Sequence, residues 1–93
     1  MELNGNKMSS DKKLQELKDS FKDKTPKQMR TIRNNLNNRM RSFEEELRYG
    51  KALPNLTHSH MFYGLEYKDL KELHEFTMKR IRLDVKAAHA NDD

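Results

Sequence analysis

The side chains that most readily do chemistry are sparse in this chain. His58 and His60 stand two apart near the middle, and His74 follows further on. Imidazoles can ligate a transition metal. A loop pair with no cysteine and no carboxylate at close spacing, however, lacks the donor set of a zinc site. Asp69, Glu72 and Glu75 interleave with Lys68, Lys71 and Lys79, which reads as solubilising charge at helical i,i+4 distances rather than as a general acid–base pair. No nucleophile, base and orienting group can be assembled, so the expectation is a non-enzyme with no cofactor and no metal.

The informative stretch runs from Lys27 to Arg41. It holds Lys27, Arg30, Arg33, Arg39 and Arg41 with no acidic residue, and Asn34, Asn35, Asn37 and Asn38 sit among them. Asparagine costs roughly 0.6 kcal/mol relative to alanine inside a helix, so four of them cost about 2–3 kcal/mol. Glutamate, lysine or alanine would build a plain surface at lower cost. At about 100° per residue from Met29, the apolar stripe spans roughly 300° through 20°. Arg33, Asn37, Arg30, Arg48, Arg41 and Asn34 then follow in order from about 40° to about 140°. They form one flank beside the buried stripe, extended by Lys27 at the first turn. Arg39 falls on the other flank.

Arginine offers phosphate a charged planar fork, and asparagine can pair with an adenine edge or touch phosphate and sugar. The expected site is therefore a nucleic-acid-binding helix face made by Lys27, Arg30, Arg33, Asn34, Asn37, Arg41 and Arg48. The plainer alternative is a solvated face whose arginines pair with acids of neighbouring helices, or with Glu44, Glu45 and Glu46. Lys79, Arg80, Arg82 and Lys86 form a second basic cluster. Cations late in a helix favour its negative end, which accounts for them, although they would extend a basic surface if that helix lay alongside the first.

The elements that must position these residues are helices. Apolar residues make up 33% and charged residues 37%, with 3 Gly and 2 Pro, so breakers are few and a many-turned β fold is disfavoured. Ser9-Ser10-Asp11 reads as a helix start, and Leu14, Leu17 and Phe21 give a narrow amphipathic helix over about 10–23. Thr25-Pro26-Lys27-Gln28 reads as a capping box with proline at the first helical position. The helix it opens should run to Tyr49, stopped by Gly50. Its stripe of Met29, Ile32, Leu36, Met40, Phe43 and Leu47 repeats at about 3.6, the period of a straight helix on a globular core. After a connector, with one short turn at His60–Tyr63 closed by Gly64, a last helix should span about 66–88. Leu70, Leu73, His74, Thr77, Ile81, Val85 and Ala88 share its face. The aromatic stretch Met61–Tyr67 reads as a core plug more readily than as a base-stacking platform.

The expected fold is all-α: a small three-helix domain with long central and C-terminal helices over residues 10–90, a frayed segment at 1–9 and a polar tail at 91–93. A chain this short buries only about 60% of its unfolded surface, so stability should be marginal or shared with a partner. Phe76 and Leu83 lie off the main stripe and imply another surface, either the first helix, a docked partner or a homodimer. There is no apolar run long enough to cross a membrane and no hydrophobic leader at the start, so a cytoplasmic location is expected. Absent cysteine excludes disulfides. A net charge of +4 is mild in itself; its distribution matters more.

Two functions follow as expectations. The first is a small basic regulatory protein that binds nucleic acid, RNA slightly ahead of DNA because no helix-turn-helix spacing is evident. The second is a stoichiometric protein–protein interaction module, such as an inhibitor or antitoxin of a nucleic-acid-processing protein encoded by a phage or mobile element.

Overall fold

The computed structural model describes residues 2–91, with side chains described over 11–87. Helix α1 spans Glu2–Ser20 and tightens into a 3-10 turn at Phe21–Asp23; α2 spans Pro26–Tyr49 and α3 spans Tyr67–Asn91. No strand occurs among the described residues. The all-α expectation holds, and α2 has the bounds its capping signals gave. Helix α1 begins at Glu2, well ahead of the start expected near residue 10. Its interior breaker there is Gly5, which costs only about 1 kcal/mol, and Ser9, Ser10 and Asp11 sit within the helix instead of starting it. Helix α3 runs on to Asn91, which shortens the expected tail; Asp92 and Asp93 lie outside the described residues, as does the Ala88 side chain.

The helix ends are closed by local chemistry. The Thr25 hydroxyl accepts from the Gln28 backbone N–H at 3.1 Å, and Gln28 Oε1 accepts from the Thr25 N–H at 2.9 Å. Proline follows at the first helical position, where its missing N–H removes nothing. Gly50 ends α2 in the left-handed region at φ 68°, its N–H bonded to the Glu46 carbonyl at 3.0 Å, a conformation in which a Cβ is strained. Asp69 corrects the sequence reading. It is buried, not a solvated surface carboxylate, and Oδ2 accepts from the Glu66 N–H at 3.0 Å. A negative group in the first turn also suits the positive end of α3.

Helices α2 and α3 pack antiparallel. The rings of Phe43 and Tyr67 lie 6.1 Å apart at one end, and Arg30 lines a recess with Ile81, Asp84 and Val85 at the other. Helix α1 covers the opposite flank of α3 and runs parallel to it. Lys18 pairs with Glu72 at 2.5 Å, and the Phe21 and Phe76 rings stand 6.3 Å apart. Phe76 is thus half-buried beneath α1, so the first helix supplies the extra surface that this residue called for, while Leu83 stays exposed. The core joins Leu14 and Phe21 to Met29, Ile32, Leu36, Leu70, Leu73 and Ile81, closed by Phe62 and Leu65 from the connector. The aromatic stretch is a plug, as expected, and its turn is closed by Gly64 at φ 81°.

Both long helices overrun this core. Leu47 belongs to the apolar stripe of α2 yet is 87% exposed, and Val85 is exposed on α3. The cause is register: α3 begins opposite Phe43 and α2 begins opposite Ile81, so among the described residues the next turn of each helix is left largely uncovered. The radius of gyration is 15.4 Å, against about 12 Å for a compact chain of this length, as long helices in a small bundle require.

Arg80 joins the two halves of the bundle. From the middle of α3 its Nη1 donates to the Phe21 carbonyl at 2.6 Å, Nη2 to the Lys24 carbonyl at 2.6 Å and Nε to Asp84 Oδ1 at 3.2 Å. Its place is tertiary rather than a complement to the helix dipole. Hydrogen bonds to a charged group contribute about 1.5–3 kcal/mol each, with incomplete additivity. Arg80→Gln should therefore lower unfolding free energy by about 2–4 kcal/mol, whereas Arg82→Gln should shift it by less than about 0.5 kcal/mol. Urea denaturation followed by circular dichroism measures both.

Candidate nucleic-acid interface

Helix α2 sorts its own charges. Its apolar stripe, anchored by buried Met29, Ile32 and Leu36, turns one side to the core. One flank then faces the connector and the other borders α3. On the connector side, Arg39 is part of the scaffold. Its Nη1 donates to the Pro54 carbonyl at 2.7 Å and its guanidinium lies 5.1 Å from the centre of the Phe43 ring. Burial pulls the pKa of this group down, opposed by the charge of Glu46, and an arginine stays cationic through shifts of that kind.

The other flank is free of such duties. Lys27, Arg30, Asn34, Asn37, Arg41 and Arg48 are exposed, and Arg33 is half-buried at the seam with α3. None of the basic members lies within 4 Å of a carboxylate among the described residues; the ion pairs formed are Lys18–Glu72, Lys22–Asp19, Lys68–Glu66 and Arg80–Asp84. The Arg33 guanidinium donates to Asn34 Oδ1 at 3.3 Å, which ties one planar fork to one amide on the outer surface. The structure thus brings the seven expected residues onto one flank. Arg48 stands apart at the far end, where Glu44 and Glu45 interrupt the row.

Antiparallel packing adds a second row. The α2 flank that carries Arg30 and Arg48 borders α3 at both ends, through the Ile81–Val85 recess and through Tyr67. Helical register places Lys71 and Arg82 about 100–120° from Leu70, on the flank of α3 turned to the same side. Lys68, Lys79 and Lys86 continue outward from them, with Glu75 interposed. Cations thus line the α2–α3 face, whereas along α1 and its turn Lys12, Lys13, Lys18 and Lys22 alternate with Asp11, Glu16, Asp19 and Asp23. This second row depends on how the helices pack.

Other candidate groups have structural roles. His60 Nδ1 accepts from the Phe62 N–H at 3.1 Å, and the His58 ring stacks 4.4 Å from Tyr63. The Lys13 ammonium donates to the Tyr63 and His60 carbonyls, and burial lowers its pKa. No group of three or more potential metal ligands clusters among the described residues, and no helix there is long and apolar enough to cross a membrane.

At the overhanging end of α2, Phe43, Leu47 and Tyr67 form an apolar groove of about 430 Å³ edged by Glu44, Glu46 and Arg48. The Tyr67 hydroxyl donates to Glu44 Oε2 at 2.7 Å. That bond raises its pKa, with burial and the charge of Glu44 acting in the same direction and Arg48 opposing. The groove was hidden in the sequence because Leu47 fits the core stripe perfectly well; only the register of α3 exposes it. Compared with protein-family models, curated protein sequences and solved structures, the chain matches none.

Proposed function

We propose that this protein is a non-enzymatic nucleic-acid-binding regulator, with RNA favoured, that lays the α2–α3 face along a phosphate backbone. The observation that carries this reading is a flank of arginines and asparagines with no carboxylate within 4 Å among the described residues, in a protein where Arg39 and Arg80 are engaged in holding the fold. Unpaired guanidinium groups beside one another repel, and a polyanion relieves that repulsion while releasing its own counterions. The asparagines add short polar groups that contact sugar, phosphate or base edges where longer side chains would mask them. RNA is favoured over DNA because the face is a broad two-helix surface with no recognition helix set off for the major groove.

A second reading is favoured by the groove at Phe43, Leu47 and Tyr67, and its occupant would be a second copy of this chain. Glu44, Glu46 and Arg48 around it carry both signs, so a two-fold axis would set Arg48 of each protomer against the glutamates of the other while the two Leu47 side chains fill the grooves. This contact leaves Lys27, Arg30 and Arg41 open, so it complements the first reading. Sedimentation equilibrium should show a dimer that Leu47→Asp converts to monomer with unchanged helix content, because Leu47 is not part of the folded core. A wild-type monomer at high micromolar concentration excludes this assembly.

Binding itself is tested by salt dependence. If Lys27, Arg30, Arg33 and Arg41 each neutralise one phosphate, log affinity for a single strand should fall with log salt at a slope of roughly −3, or nearer −4 for duplex DNA. Replacing Arg30, Arg33 and Arg41 with Gln should flatten that slope by about two to three units and leave the fold intact. A folded triple variant with unchanged affinity and slope would refute the assignment.

A further inference from the structure

Two asparagines remain unexplained by the basic flank. Asn35 and Asn38 lie on the opposite side of α2, toward the connector, and their side-chain amides bond to no described residue. They are as unfavourable in a helix as Asn34 and Asn37, and they repay nothing in the fold. Both line a recess of about 230 Å³ between α2 and the connector. Pro54, Leu56 and Phe62 supply its apolar walls, and Arg39, Ser42 and His60 complete its rim. Arg39 Nε is buried there without a hydrogen-bond partner, although Nη1 is held by the Pro54 carbonyl. The His60 ring is fixed by the bond from the Phe62 N–H to Nδ1, which leaves the proton of the neutral ring on Nε2, facing away from that bond.

The chemistry of this recess is that of a small flat heterocycle. Its volume lies below the roughly 300–1,000 Å³ that encloses a drug-sized ligand, so one ring system fits. Apolar walls suit its faces, a rigid imidazole at the rim can stack on it, and two amides present donors and acceptors to its edge. An asparagine amide matches the N6 and N7 pair of adenine with both of its groups at once.

Resting on the nucleic-acid reading above, we infer that this recess holds an unpaired adenine base while the strand crosses α2 to the basic flank. The two flanks then divide the work. Arg30, Arg33 and Arg41 take phosphates, and Asn35 and Asn38 select the base. The selecting residues thus differ from Asn34 and Asn37, which lie among the arginines.

The test uses the full chain and three single strands of about twelve nucleotides, within the usual span of a single-strand site: oligoadenylate, oligouridylate and an abasic strand of the same length. Affinity for oligoadenylate should exceed that for the other two about tenfold, and Asn35→Ala with Asn38→Ala should remove the preference without changing the salt slope. Alanine is the better helix former, so the double variant should fold at least as well. Adenosine monophosphate should also shift the side-chain amide signals of Asn35 and Asn38 in a 1H–15N spectrum, and ribose 5-phosphate should not. Equal binding of all three strands, or a preference that survives the double variant, overturns the adenine recess while leaving the phosphate-binding face standing. Adenosine monophosphate shifting both amides in a protein that binds no strand would support the recess and overturn the nucleic-acid reading. Neither response at all overturns both.

Discussion

The bundle depends on the guanidinium of Arg80. The corner between α1 and α2 must turn the chain back in a few residues, and it leaves the carbonyls of Phe21 and Lys24 turned toward α3. A planar cation with several donors answers both at once, and Asp84, one turn further along α3, holds that cation in place. With the corner pinned, Phe21 is fully buried against α3 and Pro26 starts α2 in register with Ile81. Everything that follows along α2 inherits this register: which apolar residues are covered, which flank borders α3, and where the helix outruns its support.

The same register separates the arginines by task. Arg80 and Arg39 reach backbone carbonyls of the α1–α2 corner and of the connector and serve the fold. Arg30, Arg33 and Arg41 form no ion pair within 4 Å among the described residues, although Arg30 shares a recess with Asp84, and they remain available. A small core cannot tolerate many undirected charges near its edge, because each partly desolvated cation without a partner costs free energy. Placing the unpaired ones on the outer side of the α2–α3 seam, where water reaches them, keeps that cost low and leaves a concentrated positive potential for an anionic partner.

Much of α2 was legible in the sequence. The capping box, the proline at the first position, the terminal glycine and the spacing of Met29, Ile32 and Leu36 are local signals, and local physics decides them. Asp69 was misread because i,i+4 neighbours of opposite charge describe a solvated helix face equally well; its role depends on standing three residues after Glu66 at a helix start. Leu47 and Val85 were misread for a different reason. Periodicity tells which side of a helix is apolar and says nothing of how far the neighbouring helix extends. Arg80 could not be told from Arg82 in the sequence, because the difference lies in contacts with carbonyls far along the chain. For the flank itself, composition and angle identified the residues of α2, while the second row at Lys71 and Arg82 needed the antiparallel packing.

The central claim is that arginines divide into those that hold the fold and those that meet nucleic acid. It is most directly tested by following arginine Nε–Hε signals in 1H–15N spectra during titration with a short single-stranded RNA. The division predicts that the signals of Arg30, Arg33 and Arg41 move with added RNA, joined by Arg82 across the seam, while that of Arg80 stays in place. Signals that remain still for the α2 arginines, or an Arg80 signal that moves with them, would contradict it.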